Sequence, residues 1–88
     1  MIKEGFVLRK MPGMNLVMPT GVLVKEYSGA VMLNDTGAFI FEKLNEKKTA
    51  EEVAECLTEE YNIALDNATE SVKKTIKQLD EAGLITAG

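Results

Sequence analysis

Histidine is absent from the 88-residue sequence, and Cys56 is its only cysteine. Histidine is the commonest general base near neutral pH and the commonest zinc ligand, so its absence removes both uses. A single cysteine forms neither an internal disulfide nor a cysteine-based zinc site. Cys56 also lacks a base of the kind that activates a nucleophilic thiol. The sequence therefore predicts a protein that is not an enzyme and that binds no metal and no cofactor.

Long apolar runs are also missing. No stretch reaches the roughly 18 apolar residues that a membrane-spanning helix needs, and the first residues, with Lys3 and Glu4, form no signal-peptide segment. We therefore expect a cytoplasmic protein that contacts no membrane. The length fits a single domain over residues 1–88, in which 45% apolar residues can form one modest core.

Arginine occurs only once, as Arg9. Residues 1–33 carry four basic and two acidic side chains, whereas residues 34–88 carry six basic and twelve acidic ones, so the net charge of −4 arises in the second part. A net acidic chain is a poor counterion for a phosphate backbone, and arginine is the main reader of guanine. We therefore expect no binding to nucleic acid.

The first third of the chain is predicted to form strands. Residues 6–10 and 15–18 are β-prone and flank a Met-Pro-Gly-Met turn signal, which favours a hairpin. After a break at residues 19–21, residues 22–27 fit either a short strand or a loop. Ser28 and Gly29 indicate another turn, and a short apolar strand follows, formed by Ala30, Val31, Met32 and Leu33.

Three amphipathic helices are predicted after the strands. The first begins near Asn34, an N-cap residue; the second begins with a capping box of Thr49 and Glu52; the third begins near Asp66, which is its predicted N-cap residue. Asn62 and Gly83 are the predicted left-handed residues that end the second and third helices. The expected apolar faces consist of Gly37, Ile40, Phe41 and Leu44, then Ala50, Val53, Ala54, Leu57 and Tyr61, and finally Ala68, Val72, Ile76 and Leu79.

Glycine at position 37 is unusual in the first turn of a helix, and it indicates that another backbone passes close by. On the second helix, five glutamates form an acidic cluster, which we interpret as a solvated face: Glu51, Glu52, Glu55, Glu59 and Glu60. The order of elements, βββααα, predicts an α+β domain with its strands and helices segregated along the chain.

One flank of the third helix carries small polar residues, Ser71, Thr75 and Gln78, with Lys74 at its rim. This flank is either a plain solvated surface or a place where something lies against the helix. A short apolar strand beside a helix suits β-augmentation, in which an extended peptide adds to the edge of a sheet; the same strand could equally be a core strand. Three helices with a small sheet also fit a winged-helix transcription regulator, which would bind DNA through the third helix.

From residue 30 to about 86 the sequence resembles PqqD-like proteins, which are named for pyrroloquinoline quinone (PQQ) biosynthesis protein D and are also called precursor-peptide recognition elements. The segment LNDTGAFIFEKL at residues 33–44 resembles the signature of this family. Further matches in the right order are residues 49–54, Tyr61, Asp66, Leu79, Gly83, Leu84 and Ile85.

The resemblance implies a winged-helix-like domain of three strands and a three-helix bundle, without catalytic activity. It implies a chaperone that binds the leader of a ribosomally made precursor peptide between the third strand and third helix. The leader would then be presented to a radical SAM enzyme or another modifying enzyme, in PQQ or related biosynthesis, by a monomer or homodimer. An apolar leader side chain is the expected anchor in this cleft. Carried onto this chain, the peptide-binding residues are Ala30, Val31, Met32, Leu33, Ser71, Lys74, Thr75 and Gln78.

Overall fold

A computed structural model describes residues 2–27 and 30–86 of the chain. Across these residues three antiparallel strands precede three α-helices, which confirms the predicted α+β order. The elements are β1 (Phe6–Met11), β2 (Met14–Pro19), a 3-10 helix (Gly21–Lys25), β3 (Val31–Leu33), α1 (Asp35–Asn45), α2 (Ala50–Tyr61) and α3 (Leu65–Glu81). None of the helices in the described part of the chain is long and apolar enough to cross a membrane.

The sheet has the order β1-β2-β3. Its hairpin turns at Pro12 and Gly13, as predicted, and Gly13 adopts a φ of 76°, which favours glycine. β3 pairs with β2 through three residue pairs, from Asn15 with Leu33 to Val17 with Val31. No strand lies beside the other edge of β3 within residues 2–27 and 30–86.

The connection from β2 to β3 differs from the prediction. Residues 22–27 form neither a strand nor an open loop, because the chain turns through a 3-10 helix in which Glu26 donates a backbone hydrogen bond to Leu23. The Leu23 side chain packs against Gly5, where an added Cβ would lie 2.5 Å from Leu23 Cδ1. Ala30 lies outside β3, since pairing with β2 begins only at Val31. The predicted turn at residues 28 and 29 lies outside the described residues.

The caps of α1 and α2 form as predicted. Asn34 Oδ1 accepts a hydrogen bond from the Gly37 backbone N–H at 2.7 Å, Thr49 and Glu52 form a reciprocal capping box, and Asn62 ends α2 with a φ of 52°. The predicted reason for glycine at position 37, the close passage of another backbone, was wrong. The atoms nearest to a Cβ at this position would belong to the side chains of Asn34 and Leu33, at 3.1 and 3.2 Å, so the close approach is made by these side chains and not by a distant backbone.

α3 begins at Leu65, next to the predicted start, but its predicted N-cap residue is wrong. Ala64 is the N-cap residue and Asp66 lies inside the first turn, because the extended backbone at Ala64 already starts the helix at Leu65. The end agrees with the prediction: Gly83 has a φ of 85°, and Leu84 N–H donates to Leu79 O at 2.9 Å in a Schellman motif. Leu84 is thereby returned to the core.

The core lies between the inner face of the sheet and the three helices. β1, β2 and β3 contribute one buried apolar side chain each, and the helices contribute most of the others. Tyr61 is an exception to its predicted role: it is 42% exposed and packs edge-on against Phe39 at the rim. On α3 the buried face also includes Thr75, at 7% exposure, while Ile76 is only half-buried.

Candidate functional site

Met32, the middle residue of β3, presents its main chain to the free edge of the sheet. Its carbonyl oxygen accepts a hydrogen bond from Gln78 Nε2 of α3 at 2.9 Å, so this carbonyl points away from β2. In an antiparallel strand the N–H and C=O of one residue point to the same side. Both main-chain groups of Met32 are therefore directed toward α3.

A groove with a volume of about 510 Å³ separates this edge from α3. It is lined by β3, by the first turn of α1 and by α3, and the lining residues are Met32, Leu33, Asn34, Thr36, Gly37, Ser71, Lys74, Thr75 and Gln78. An extended peptide needs an exposed strand edge with room beside it. The free edge of β3 and the groove together supply both.

The helical side of the groove follows from the spacing of its residues. Ser71, Lys74, Thr75 and Gln78 recur at i, i+3, i+4 and i+7, so they share one face of α3. Thr75 is buried at the base, whereas Lys74 and Gln78 are exposed at the rim. The opposite side stays open because Gly37 carries no Cβ beside Leu33.

The structure brings six of the eight residues predicted for the site into this groove. These are Met32, Leu33, Ser71, Lys74, Thr75 and Gln78. Ala30 and Val31 instead line a second cavity of about 340 Å³, beside Phe6, Val17 and Tyr27. Val31 pairs with Val17 on the inner face of the sheet, whereas the Met32 side chain lies on the outer face and its main chain borders the groove.

Sequence reasoning missed three residues that line the groove: Asn34, Thr36 and Gly37. A usable signal was present, because the N-cap residue of α1 directly follows the strand. The first turn of that helix must therefore lie next to the strand's end. Asn15 was also missed: it is buried, and its Nδ2 donates to Leu33 O at 3.2 Å and to Asp35 Oδ1 at 3.0 Å. It ties the end of β3 to the start of α1.

The groove carries a positive charge through Lys74, and no acidic residue is among those that line it. The acidic cluster of α2 is exposed, and one of its members, Glu52, is used by the helix cap. A hydrogen bond from the Thr49 backbone N–H lowers the pKa of Glu52 below its usual value of 4.5. Over the described ranges no group of three or more acidic or cysteine side chains is arranged to hold a metal ion.

The lining of the groove does not favour the expected apolar anchor. Leu33, which would have to contact such an anchor, is buried in the core. Most of the remaining lining residues are polar: Asn34, Thr36, Ser71, Lys74, Thr75 and Gln78. Buried polar groups must be hydrogen-bonded, so these walls suit a polar or charged ligand side chain better than an apolar one.

In comparison with known families, residues 20–85 match the family described as coenzyme PQQ synthesis protein D (PqqD). Among solved structures, the chain is similar to one described as TbiB1 in complex with the TbiA(β) leader peptide, with a TM-score of 0.76 and 16% sequence identity. The likeness covers 99% of this chain and 95% of the other, and at this identity it shows the fold alone. No curated protein matches the sequence significantly.

Proposed function

The chain belongs to the PqqD family, and we propose that it is a peptide-binding accessory domain without catalytic activity of its own. It binds the leader of a ribosomally made precursor peptide and presents that peptide to a modifying enzyme. We further propose that this enzyme is of the radical SAM type, that the pathway leads to PQQ or a related peptide product, and that the protein acts in the cytoplasm.

The observation that carries this proposal is the orientation of Met32. Its main chain faces a groove beside α3, where an extended peptide has room to add a strand to the sheet. TbiB1, whose fold is similar, forms a complex with a leader peptide. A leader peptide is therefore the ligand that fits this edge best.

Such a domain contributes proximity and no chemistry. A leader held on β3 raises the effective concentration of the rest of the precursor at the enzyme's active site. Positioning of this kind lowers the entropic cost of bringing the reacting groups together. Lys74 at the rim of the groove favours encounter with an acidic leader and raises the rate of association.

An NMR titration of the ¹⁵N-labelled protein tests the proposal. The probe is a synthetic leader peptide from the short reading frame nearest to the gene for this chain. We expect the largest amide shifts at Met32, Leu33, Ser71 and Gln78, which border the groove. Shifts confined to other surfaces, or none at high peptide excess, would contradict it.

Salt provides the control that distinguishes peptide from DNA binding. Main-chain hydrogen bonds in an added strand change little with salt, whereas phosphate contacts lose affinity steeply. We therefore expect the peptide affinity to fall only slightly as salt rises. A DNA duplex titrated in the same way serves as the comparison, and tighter binding of the duplex would support the winged-helix regulator instead.

A further inference from the structure

The two faces of the sheet differ sharply in chemistry at Met32. Its side chain points to the outer face and is 62% exposed. Its partner on β2 is Leu16, and the same outer face holds the exposed Met11 and Met14, which are paired at the far end of the hairpin. A peptide side chain that reaches this face therefore meets apolar surface.

The inner side of the same edge is the polar groove. Ser71, Lys74 and Gln78 stand along it on α3, and among the residues that the structure describes Lys74 has no ion-pair partner. A peptide side chain that turns inward thus meets hydroxyl, amide and ammonium groups. A carboxylate is the group that pairs best with such a lysine.

Strand geometry assigns the peptide's side chains to these two faces. Residues directly opposite each other on neighbouring strands place their side chains on the same face. The peptide residue opposite Met32 therefore points outward, and the residues on either side of it point into the groove. This assignment is the same for a parallel and an antiparallel peptide, because it depends only on the pleat.

We propose that the domain selects leader segments by the side chains they present to the two faces of the sheet; this selection rule rests on the proposed function. The selected segment is extended, with an apolar residue opposite Met32 and an acidic or polar residue on each side of it, one of which pairs with Lys74. The rule places the apolar contact outside the groove and the charged contact inside it. It follows from the charge of Lys74 and from the exposed side chain of Met32.

Gln78 makes a main-chain contact that this peptide would also make. Its amide donates to Met32 O, which is the bond that a peptide N–H would make. An unpaired strand edge is prone to pair with other chains, so this contact protects the edge until a leader arrives. The incoming strand replaces the amide of Gln78, and binding exchanges one neutral hydrogen bond for another.

A selection from a random library of short peptides tests the rule and does not require the natural leader. The wild-type domain and two charge-reversed variants, Lys74→Glu and Lys73→Glu, are each used as bait. Lys73 is the matched control, since it lies on the same helix and does not line the groove. We expect wild type and Lys73→Glu to enrich an alternation of acidic or polar with apolar residues, and Lys74→Glu to enrich basic residues at the inward positions.

The outcomes separate this rule from the proposed function. If no enriched peptide shifts the amide signals of Met32 and Gln78, peptide binding at this edge is wrong, and the rule with it. If enriched peptides bind there without alternation, or if Lys74→Glu selects the same sequences as wild type, the rule alone is wrong.

Gln78→Ala adds a second readout, measured with a peptide enriched by the wild-type domain. Removal of the competing amide is expected to raise the affinity by about two- to tenfold, which corresponds to one neutral hydrogen bond. A loss of affinity of similar size would show that Gln78 contacts the peptide and does not compete with it.

Discussion

The helices and the sheet of this domain treat their apolar side chains differently. α1, α2 and α3 bury most of theirs, with Tyr61 and Leu65 as exposed exceptions, and the buried residues make up most of the core. The strands bury only Phe6, Val17 and Leu33, and they leave Val7, Met11, Met14 and Met32 exposed. The charges are divided as well, since the part of the chain before residue 34 is net positive and the rest is net negative.

This difference indicates a division of roles. Contiguous apolar surface on a small protein is costly to leave in water and marks places of contact. The helices therefore supply most of the stability, whereas the sheet offers the exposed surface and the free edge at which we propose that a ligand binds. Substitutions in the two regions should accordingly affect different properties.

The largest expected contrast is between Leu57→Ala in α2 and Met32→Ala in β3. Leu57 is 0% exposed, and its truncation leaves a cavity that costs about 2–5 kcal/mol of unfolding free energy. Met32→Ala removes a mostly exposed side chain and should change stability by at most about 0.5 kcal/mol. Urea denaturation followed by circular dichroism measures both. Equal losses for the two variants would show that the helices and the exposed face of the sheet contribute equally to stability.

Asn15→Ala tests the contact that joins the two regions. The change removes two hydrogen bonds and leaves the buried Leu33 O with one donor fewer, whereas the Asp35 carboxylate is exposed and can bind water instead. We expect a loss of about 1–3 kcal/mol in the free energy of unfolding, measured by the same urea titration. Asp35→Asn is the control, because its amide oxygen still accepts from Asn15, and it should lose clearly less. A neutral Asn15→Ala would mean that this link contributes nothing.

Thr49→Ala tests the helical region alone. It removes the side-chain half of the capping box, in which Thr49 Oγ1 accepts from Glu52 N–H, and should cost about 1 kcal/mol. Peptide binding at β3 should be unchanged, because Thr49 does not line the groove. A parallel loss of peptide affinity would show that the two regions are not separable in this way.

The smallest expected effect is the pH dependence of the same cap. The Thr49 backbone N–H lowers the pKa of Glu52 in the folded protein, so the unfolded chain binds the proton more tightly. The stabilisation is therefore present above the usual pKa of 4.5 and is lost as the pH falls through the lowered folded pKa. Denaturation of wild type and Glu52→Gln across this range should show their difference shrinking on acidification. A constant difference would contradict the assignment.

Local chemistry allowed most of the fold to be predicted. The caps at Asn34 and Thr49 and the glycine at position 83 depend on neighbours a few residues away, and their outcomes agree with the structure. The N-cap of α3 was predicted wrongly even at this range, because Asp66 suits both an N-cap and a first turn. A residue type that stabilises two adjacent positions does not identify which one it occupies.

Contacts between distant residues could not be predicted. The 3-10 helix depends on Leu23 packing against Gly5, and the first paired residue of β3 depends on Val17 of β2. The helical flank of the groove was predictable from its spacing on α3. Its other wall was predictable only in part: the first turn of α1 must lie next to the end of β3, but its nearness to α3 arises only from tertiary packing.

We propose that the ligand adds a strand to the free edge of β3. Met32→Pro tests this pairing because it changes the main chain at that edge. Proline removes the one N–H that faces the groove and adds a ring there, and it spares the pairing with β2 because edge strands tolerate proline on their unpaired side. Met32→Ala is the matched control, since it keeps the main chain intact. Thermal melting verifies that both variants are folded.

Calorimetric titration with the leader peptide that binds the wild-type domain is the decisive measurement. We expect folded Met32→Pro to lose more than about tenfold in affinity, from a missing hydrogen bond and a steric clash. Met32→Ala loses only the apolar side-chain contact and should weaken binding clearly less. If Met32→Pro is folded and binds the peptide as tightly as the wild type does, the leader does not pair with β3 and the account is wrong.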